Sequence, residues 1–136
     1  MMNTNGPAVD LMEALGAQSG AAIQCITLYI PDRDREGREL GTQRKWVLEA
    51  IEILSKLNGG ATAMPPSEGA WLNEEGRIIG DRPVVVYSYL KDIPQFIAAL
   101  PIIRELLHRM GRETNQGEVA FEFNNEFYRI TTYDEN

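Results

Sequence analysis

The sequence predicts an α+β domain, one antiparallel sheet with two helices on one of its faces, and three observations carry that prediction. Residues 83–90, Pro-Val-Val-Val-Tyr-Ser-Tyr-Leu, are an unbroken β-branched and aromatic run entered through a proline. A run this apolar fits a strand inside a sheet better than one at its edge. Two segments, 44–57 and 93–110, carry apolar residues at helical spacing, whereas residues 118–123 alternate with period two.

Taken in order, residues 1–20 are polar and rich in small residues, with a short helix over 9–15 in which Val9, Met12 and Leu15 share a side. This segment is expected to be loosely held or to pack on a partner. It lacks the basic region and apolar core of a secretory signal. The first strand spans 22–30, with Ile26, Leu28 and Ile30 on one face and Cys25, Thr27 and Tyr29 on the other; Pro31 ends it. A charged loop follows at 32–39. Thr42 is the expected N-cap of the first helix, whose stripe is Val47, Ala50, Ile51, Leu54 and Leu57, widened by Trp46 and Ile53. Asn58-Gly59-Gly60 stops it.

The second strand starts at 61–64, is interrupted by Pro65-Pro66 and resumes at 70–72, and residues 73–76 turn the chain back toward the strand at 83–90. There Val84, Val86, Ser88 and Leu90 face one way, and Val85, Tyr87 and Tyr89 the other. Asp92 caps the second helix with Pro94 in its first turn, where a missing N–H costs little. The stripe Phe96, Leu100, Ile103, Leu107 and Met110 continues across Pro101, which predicts one kinked helix or two abutting pieces, stopped by Gly111. Residues 118–123 and 127–132 form a hairpin through Asn124-Asn125, a pair able to take positive φ. The order β-α-β-β-α-β plus a terminal strand is the ferredoxin-like split β-α-β plan. It implies strand order second, third, first, fourth, fifth, and it is read as placing the loops after both helices at the sheet end where the third strand starts. The domain organisation is a loose segment at 1–20, one domain at 21–133 and a polar tail at 134–136.

Composition narrows the function classes. The 136 residues suit a single core, and 43% hydrophobic with 24% charged residues excludes wholesale disorder. No apolar run approaches the roughly 20 residues that span a membrane. The single cysteine, Cys25, forbids an intrachain disulfide and makes a cytoplasmic setting the default. Thirteen basic against 20 acidic residues, net charge −7, argue against nucleic acid and are compatible with a small ligand or a basic protein partner.

Four groups of residues are candidates for function. Tyr29, Tyr87 and Tyr89, joined by Trp71, are placed on the sheet face away from the helices, where a second copy or a ligand would cover them. His108, the one histidine, stands on the second helix with Arg104 and Arg112 four residues either side, a row that could hold an anion or place an acid–base group. Its plainer reading is a partly exposed histidine among arginines that pair with Glu105 and Glu113. In Pro65-Pro-Ser-Glu-Gly-Ala-Trp71, Glu68 is expected beside the indole, which makes it the second acid–base candidate. The loop 112–117 is rich in side-chain amides and contributes Asn115. Asp32-Arg-Asp-Arg-Glu-Gly37 begins like a calcium loop, but Gln43 stands where the bidentate glutamate belongs and three arginines intervene. No metal and no cofactor is therefore expected, and phosphate-binding glycine loops are absent.

Gly60-Ala-Thr62, Gly69-Ala-Trp71 and Gly76-Arg-Ile78, after a strand ending in Leu28-Tyr29, resemble small bacterial families of uncharacterised function. The resemblance spans roughly residues 26–90. It implies a bacterial or phage origin and the ferredoxin-like plan, and it brings no active site with it.

Three readings follow. The first is a small cytoplasmic binding or regulatory domain, homodimeric through the tyrosine face. The second is a metal-independent enzyme of the dimeric α/β-barrel kind that uses His108 or Glu68 for proton transfer. The third is an acidic neutraliser of a basic partner, in the manner of an immunity protein or antitoxin.

Overall fold

A computed structural model describes residues 9–18 and 23–135. The organising run becomes the strand Val84–Tyr89, flanked in the main sheet by Cys25–Ile30 on one side and the two-residue Thr62–Ala63 on the other. In chain order the strands are β1 (Cys25–Ile30), β2 (Thr62–Ala63), β3 (Gly69–Leu72), β4 (Ile78–Asp81), β5 (Val84–Tyr89), β6 (Val119–Phe123) and β7 (Glu126–Ile130). The main sheet runs β2-β5-β1-β6-β7 and every neighbouring pair is antiparallel. This is the strand order expected from the sequence. Both β1 and β2 run opposite to β5, so they point the same way with β5 between them. By the same logic β5 and β6 are co-directional about β1.

The helices are α1 (Leu11–Leu15), α2 (Gln43–Asn58), α3 (Ile93–Ala98) and α4 (Leu100–Glu113). Of the first segment, residues 1–8, 19 and 20 lie outside the described residues, as do Ala22 at the start of the expected first strand and Asn136 in the tail. Helix α1 is capped by Asp10 and Gly16 and buries none of its residues. The α2 stop is as expected, with Gly59 left-handed at φ 92°, whereas Thr42 makes no side-chain cap bond. Asp92 Oδ1 accepts the Gln95 N–H at 3.0 Å, and the Pro101 break yields two abutting helices, α3 and α4.

One core lies between these helices and one sheet face. Ile26, Leu28, Ile30, Val84, Val86 and Val119 meet Trp46, Val47, Ala50 and Leu54 of α2, and Phe96, Ile103, Leu106, Leu107 and Met110 of α3 and α4. Alternation explains the choice of face: Leu28 stands opposite Val86 and Ile30 opposite Val84, so the apolar set of both strands points the same way. Trp46, read as the margin of its stripe, is 1% exposed. Arg109 stacks 5.1 Å from its ring centroid while bonding Glu49 and Glu105.

Three expectations change. Residues 69–72 do not resume β2: β3 pairs with β4 in a separate two-stranded sheet, with Trp71 opposite Ile79. Gly111 does not end α4, which runs to Glu113; a Cβ there would lie 2.2 Å from the Tyr133 ring, so the glycine serves packing. The loop after α2 sits at the far end of β5, where Ser88 Oγ donates to Gly60 O at 2.6 Å and accepts from Asn58 Nδ2 at 3.0 Å. Only the loop after α4 lies at the end where β5 starts, because α2 returns the chain to the end where β1 began.

Candidate functional site

At that end of the sheet the β3–β4 hairpin stands over a cleft of about 980 Å³. The hairpin forms because Asn73 organises its turn: its Oδ1 accepts the N–H groups of Glu75 and Arg77, and Gly76 takes φ 81°. At the hairpin base Gly69 faces Asp81, whose Oδ1 would lie 2.6 Å from a Cβ on residue 69. Alternation then sends Trp71, Ile79 and Asp81 to the same side, and all three line the cleft. On the opposite side Leu72 and Ile78 are well exposed, and Leu72 also reaches the cleft.

The remaining walls are Tyr29 and Pro31 at the end of β1, the charged loop with Arg35 and Glu36, and Gln116 to Ala120 leading into β6. Long-range polar contacts hold these loops. Gln116 Nε2 donates to Arg33 O at 2.7 Å, Arg35 Nη2 donates to Gln116 O at 2.8 Å, and the Arg35 N–H donates to Asn115 O at 3.0 Å. Asp34 Oδ1 accepts the Glu36 and Arg38 N–H groups, so the segment that begins like a calcium loop spends its carboxylate on its own backbone. Among the described residues no cluster of histidine, cysteine or carboxylates could hold a metal ion.

The cleft is acidic and aromatic. Glu36, Glu74, Glu75, Asp81 and Glu118 line it, against the guanidiniums of Arg35 and Arg77. Burial, then the neighbouring Asp32 carboxylate, push the Asp81 carboxyl above its usual range, with Arg33 acting the other way. Tyr29 donates its hydroxyl to the Glu122 carboxylate. That hydrogen bond, with burial and the Glu122 charge, pushes the phenol up to about 12, so it stays a donor across the physiological range.

Of the residues singled out from the sequence, Tyr29 and Trp71 come together in the cleft, and Asn115 sits behind its wall at φ 51° with Nδ2 bonded to Glu36 Oε1 at 2.8 Å. Tyr87 and Tyr89 lie on the open sheet face, edge to face at 5.7 Å, outside the cleft lining. Glu68 is exposed and does not line the cleft either.

The row His108, Arg104 and Arg112 does hold an anion, the chain's own Asp134. Arg104 Nε and Nη2 grip its carboxylate at 2.7 and 2.9 Å, Arg112 Nη1 donates to its carbonyl, and buried His108 accepts its N–H on Nδ1 at 2.8 Å. The arginine pairings read from spacing shift accordingly: Glu105 pairs with Arg109, and Glu113 with Lys45. Sequence reasoning missed Asp81, Ile79 and the acidic set around them, and in the amide-rich loop it took Asn115 rather than its neighbour Gln116. The alternation of 78–81 with 69–72 was the signal that could have found the first two.

No family model and no curated protein matches this sequence. Among solved structures the chain is similar to a phage SAM lyase in complex with S-methyl-5′-thioadenosine, with TM-score 0.60 and 11% identity over 85% of this chain and 95% of that one. It is likewise similar to a phage SAM lyase in the apo state, with TM-score 0.59 and 13% identity over 88% and 98% of the two chains. At these identities the likeness is one of fold. No helix among the described residues is long and apolar enough to cross a membrane.

Proposed function

We propose that this chain is a small-molecule-binding domain whose ligand lies in the cleft under the β3–β4 hairpin, and that the ligand combines a planar ring with a positive charge. The observation that carries the reading is the lining itself: an indole and a phenol beside five carboxylates, Glu36, Glu74, Glu75, Asp81 and Glu118. Aromatic faces and carboxylates both attract a cation, and the indole offers a stacking platform for a base. SAM, a sulfonium joined to adenosine, has both features, and the solved structures of similar fold are of proteins that act on it. That chemistry makes it the first ligand to try. A second reading, a lyase acting on the same ligand, is favoured by the activity of those neighbours and by the Tyr29 hydroxyl, a proton carrier held by Glu122 in the cleft wall.

The same proposal places the chain on a ferredoxin-like frame, supported by the two co-directional strand pairs that each enclose one strand. It includes a bacterial or phage origin, a cytoplasmic setting and a second copy covering Tyr87 and Tyr89. Calorimetric titration with SAM and with the uncharged S-methyl-5′-thioadenosine tests it. The reading expects the sulfonium to bind more tightly, and Trp71→Ala to weaken it by roughly tenfold or more, the scale of one lost stacking contact. No heat with either ligand, or an affinity indifferent to Trp71, would overturn it. Chromatography of the titrated mixture for S-methyl-5′-thioadenosine separates the binding reading from the lyase reading.

A further inference from the structure

The last strand of the sheet, β7, presents an edge that is complementary to itself. Asn124 and Asn125, at φ 51° and 71°, form a two-residue turn, so Phe123 and Glu126 close the hairpin as a hydrogen-bonded pair. Counting by two, Phe121–Tyr128 and Val119–Ile130 are also hydrogen-bonded pairs, while Glu122–Phe127 and Ala120–Arg129 are not. The N–H and C=O groups of Phe127 and Arg129 therefore point away from β6, along the free edge. Among the described residues no backbone bond from elsewhere in the chain reaches them. Glu126 and Arg129 are the charges on this edge; it has no proline and no lysine, its pairing with β6 runs without a bulge, and Phe127 is 59% and Tyr128 42% exposed.

We propose that β7 pairs antiparallel with β7 of a second copy of this chain, in the register that sets Phe127 against the partner's Arg129 and Arg129 against the partner's Phe127. That register follows from the backbone. If both residues on each strand are to exchange N–H and C=O, the twofold axis must pass between the two Tyr128 residues, in a non-hydrogen-bonded position. Side-chain chemistry agrees with it. Each guanidinium stands opposite a phenylalanine ring, each Tyr128, already stacked 5.1 Å from Phe121, meets its twin on the helix side, and Glu126 falls opposite the partner's Ile130. No like charges face each other. Arg129 gives up little at home, since its ion pair with Glu118 is exposed at 3.4 Å.

A twofold axis normal to the sheet leaves the open faces of both copies on the same side. The edge contact is thus a different surface from the tyrosine face, and variants separate the two. The test is sedimentation of the full chain over a dilution series. The wild type associates. Phe127→Lys, which opposes the partner's Arg129 twice, raises the dissociation constant by about tenfold or more, whereas Phe127→Glu, which pairs with it, stays within about threefold of wild type. Misfolding cannot mimic this pattern, because in its own hairpin residue 127 faces Glu122, so the lysine is locally favourable and the glutamate is not; circular dichroism checks both. A wild type that is monomeric throughout, equal weakening by both variants, or dissociation by Tyr89→Glu with none by Phe127→Lys would overturn the proposal.

Discussion

Replacing Gly111 by alanine should destabilise this protein, although alanine for glycine within a helix is ordinarily a gain. An ideal Cβ at residue 111 would stand 2.2, 2.5 and 2.7 Å from Cε1, Cζ and Cδ1 of Tyr133, where ordinary carbon contacts sit at about 3.5–4 Å. The ring would have to retreat by more than about 1 Å at this separation. It is not free to do so: its hydroxyl donates to Gln116 O at 3.0 Å, and the next residue is held by His108 and Arg104. Overpacking of this kind costs about 1–3 kcal/mol. Alanine returns about 1 kcal/mol of helix propensity over glycine. The expected net effect is a loss of up to about 2 kcal/mol, whether the ring is compressed or is expelled with its hydrogen bond.

In a Tyr133→Ala background the obstruction is gone, and Gly111→Ala should stabilise by up to about 1 kcal/mol. Urea denaturation of the four proteins completes the double-mutant cycle, with an expected coupling of about 1–3 kcal/mol, the overpacking cost itself. Should Gly111→Ala shift stability by the same amount and sign in both backgrounds, the packing role of Gly111 would be refuted.

Two further expectations follow from charge. Tyr29 should titrate near 12 by ultraviolet absorbance, and Glu122→Gln should bring it back toward its ordinary 10.0; because the folded value is raised, the contact contributes below the ordinary value and is lost as pH rises through the folded one. The Asp134 carboxyl is held below its ordinary 3.8 first by the Arg104 hydrogen bond; burial opposes this, and the Arg104 and Arg112 charges add to it. A depressed folded value means that its contribution is present above the ordinary one and is lost as pH falls through the folded one. The Tyr133 ring resonances should therefore move toward free-chain positions in acid, and Arg104→Ala should bring that change on at higher pH; resonances unmoved until the whole chain unfolds would speak against this role of Asp134.

The frame was legible because it is written in local, periodic signals. The valines of β5, the stripe of α2, the Asp92 cap and the Asn124-Asn125 turn each act within a few residues of themselves. The β3–β4 hairpin was half legible: Asn73 and Gly76 announce a turn, but short strands with exposed side chains do not say which sheet they join. Gly111 was misread because its partner, Tyr133, lies outside the helix, and a glycine judged from its neighbours looks like a stop. The walls of the cleft were legible only as separate pieces, the aromatics and the amide-rich loop, and not as one site. The contact between Gln116 and Arg33 spans the whole fold, and only the crossovers of the sheet bring those loops together. Tyr29 and Trp71 were found as aromatics; that they share a cavity with Asp81 and four glutamates depends on the hairpin folding back over the sheet end.

Amide and indole resonances followed during titration with SAM test the central claim most directly. The account predicts shifts concentrated at Tyr29, Trp71, Ile79 and Gln116, with the Tyr87–Tyr89 pair unmoved. Shifts centred on Tyr87 and Tyr89, or none anywhere, would contradict it.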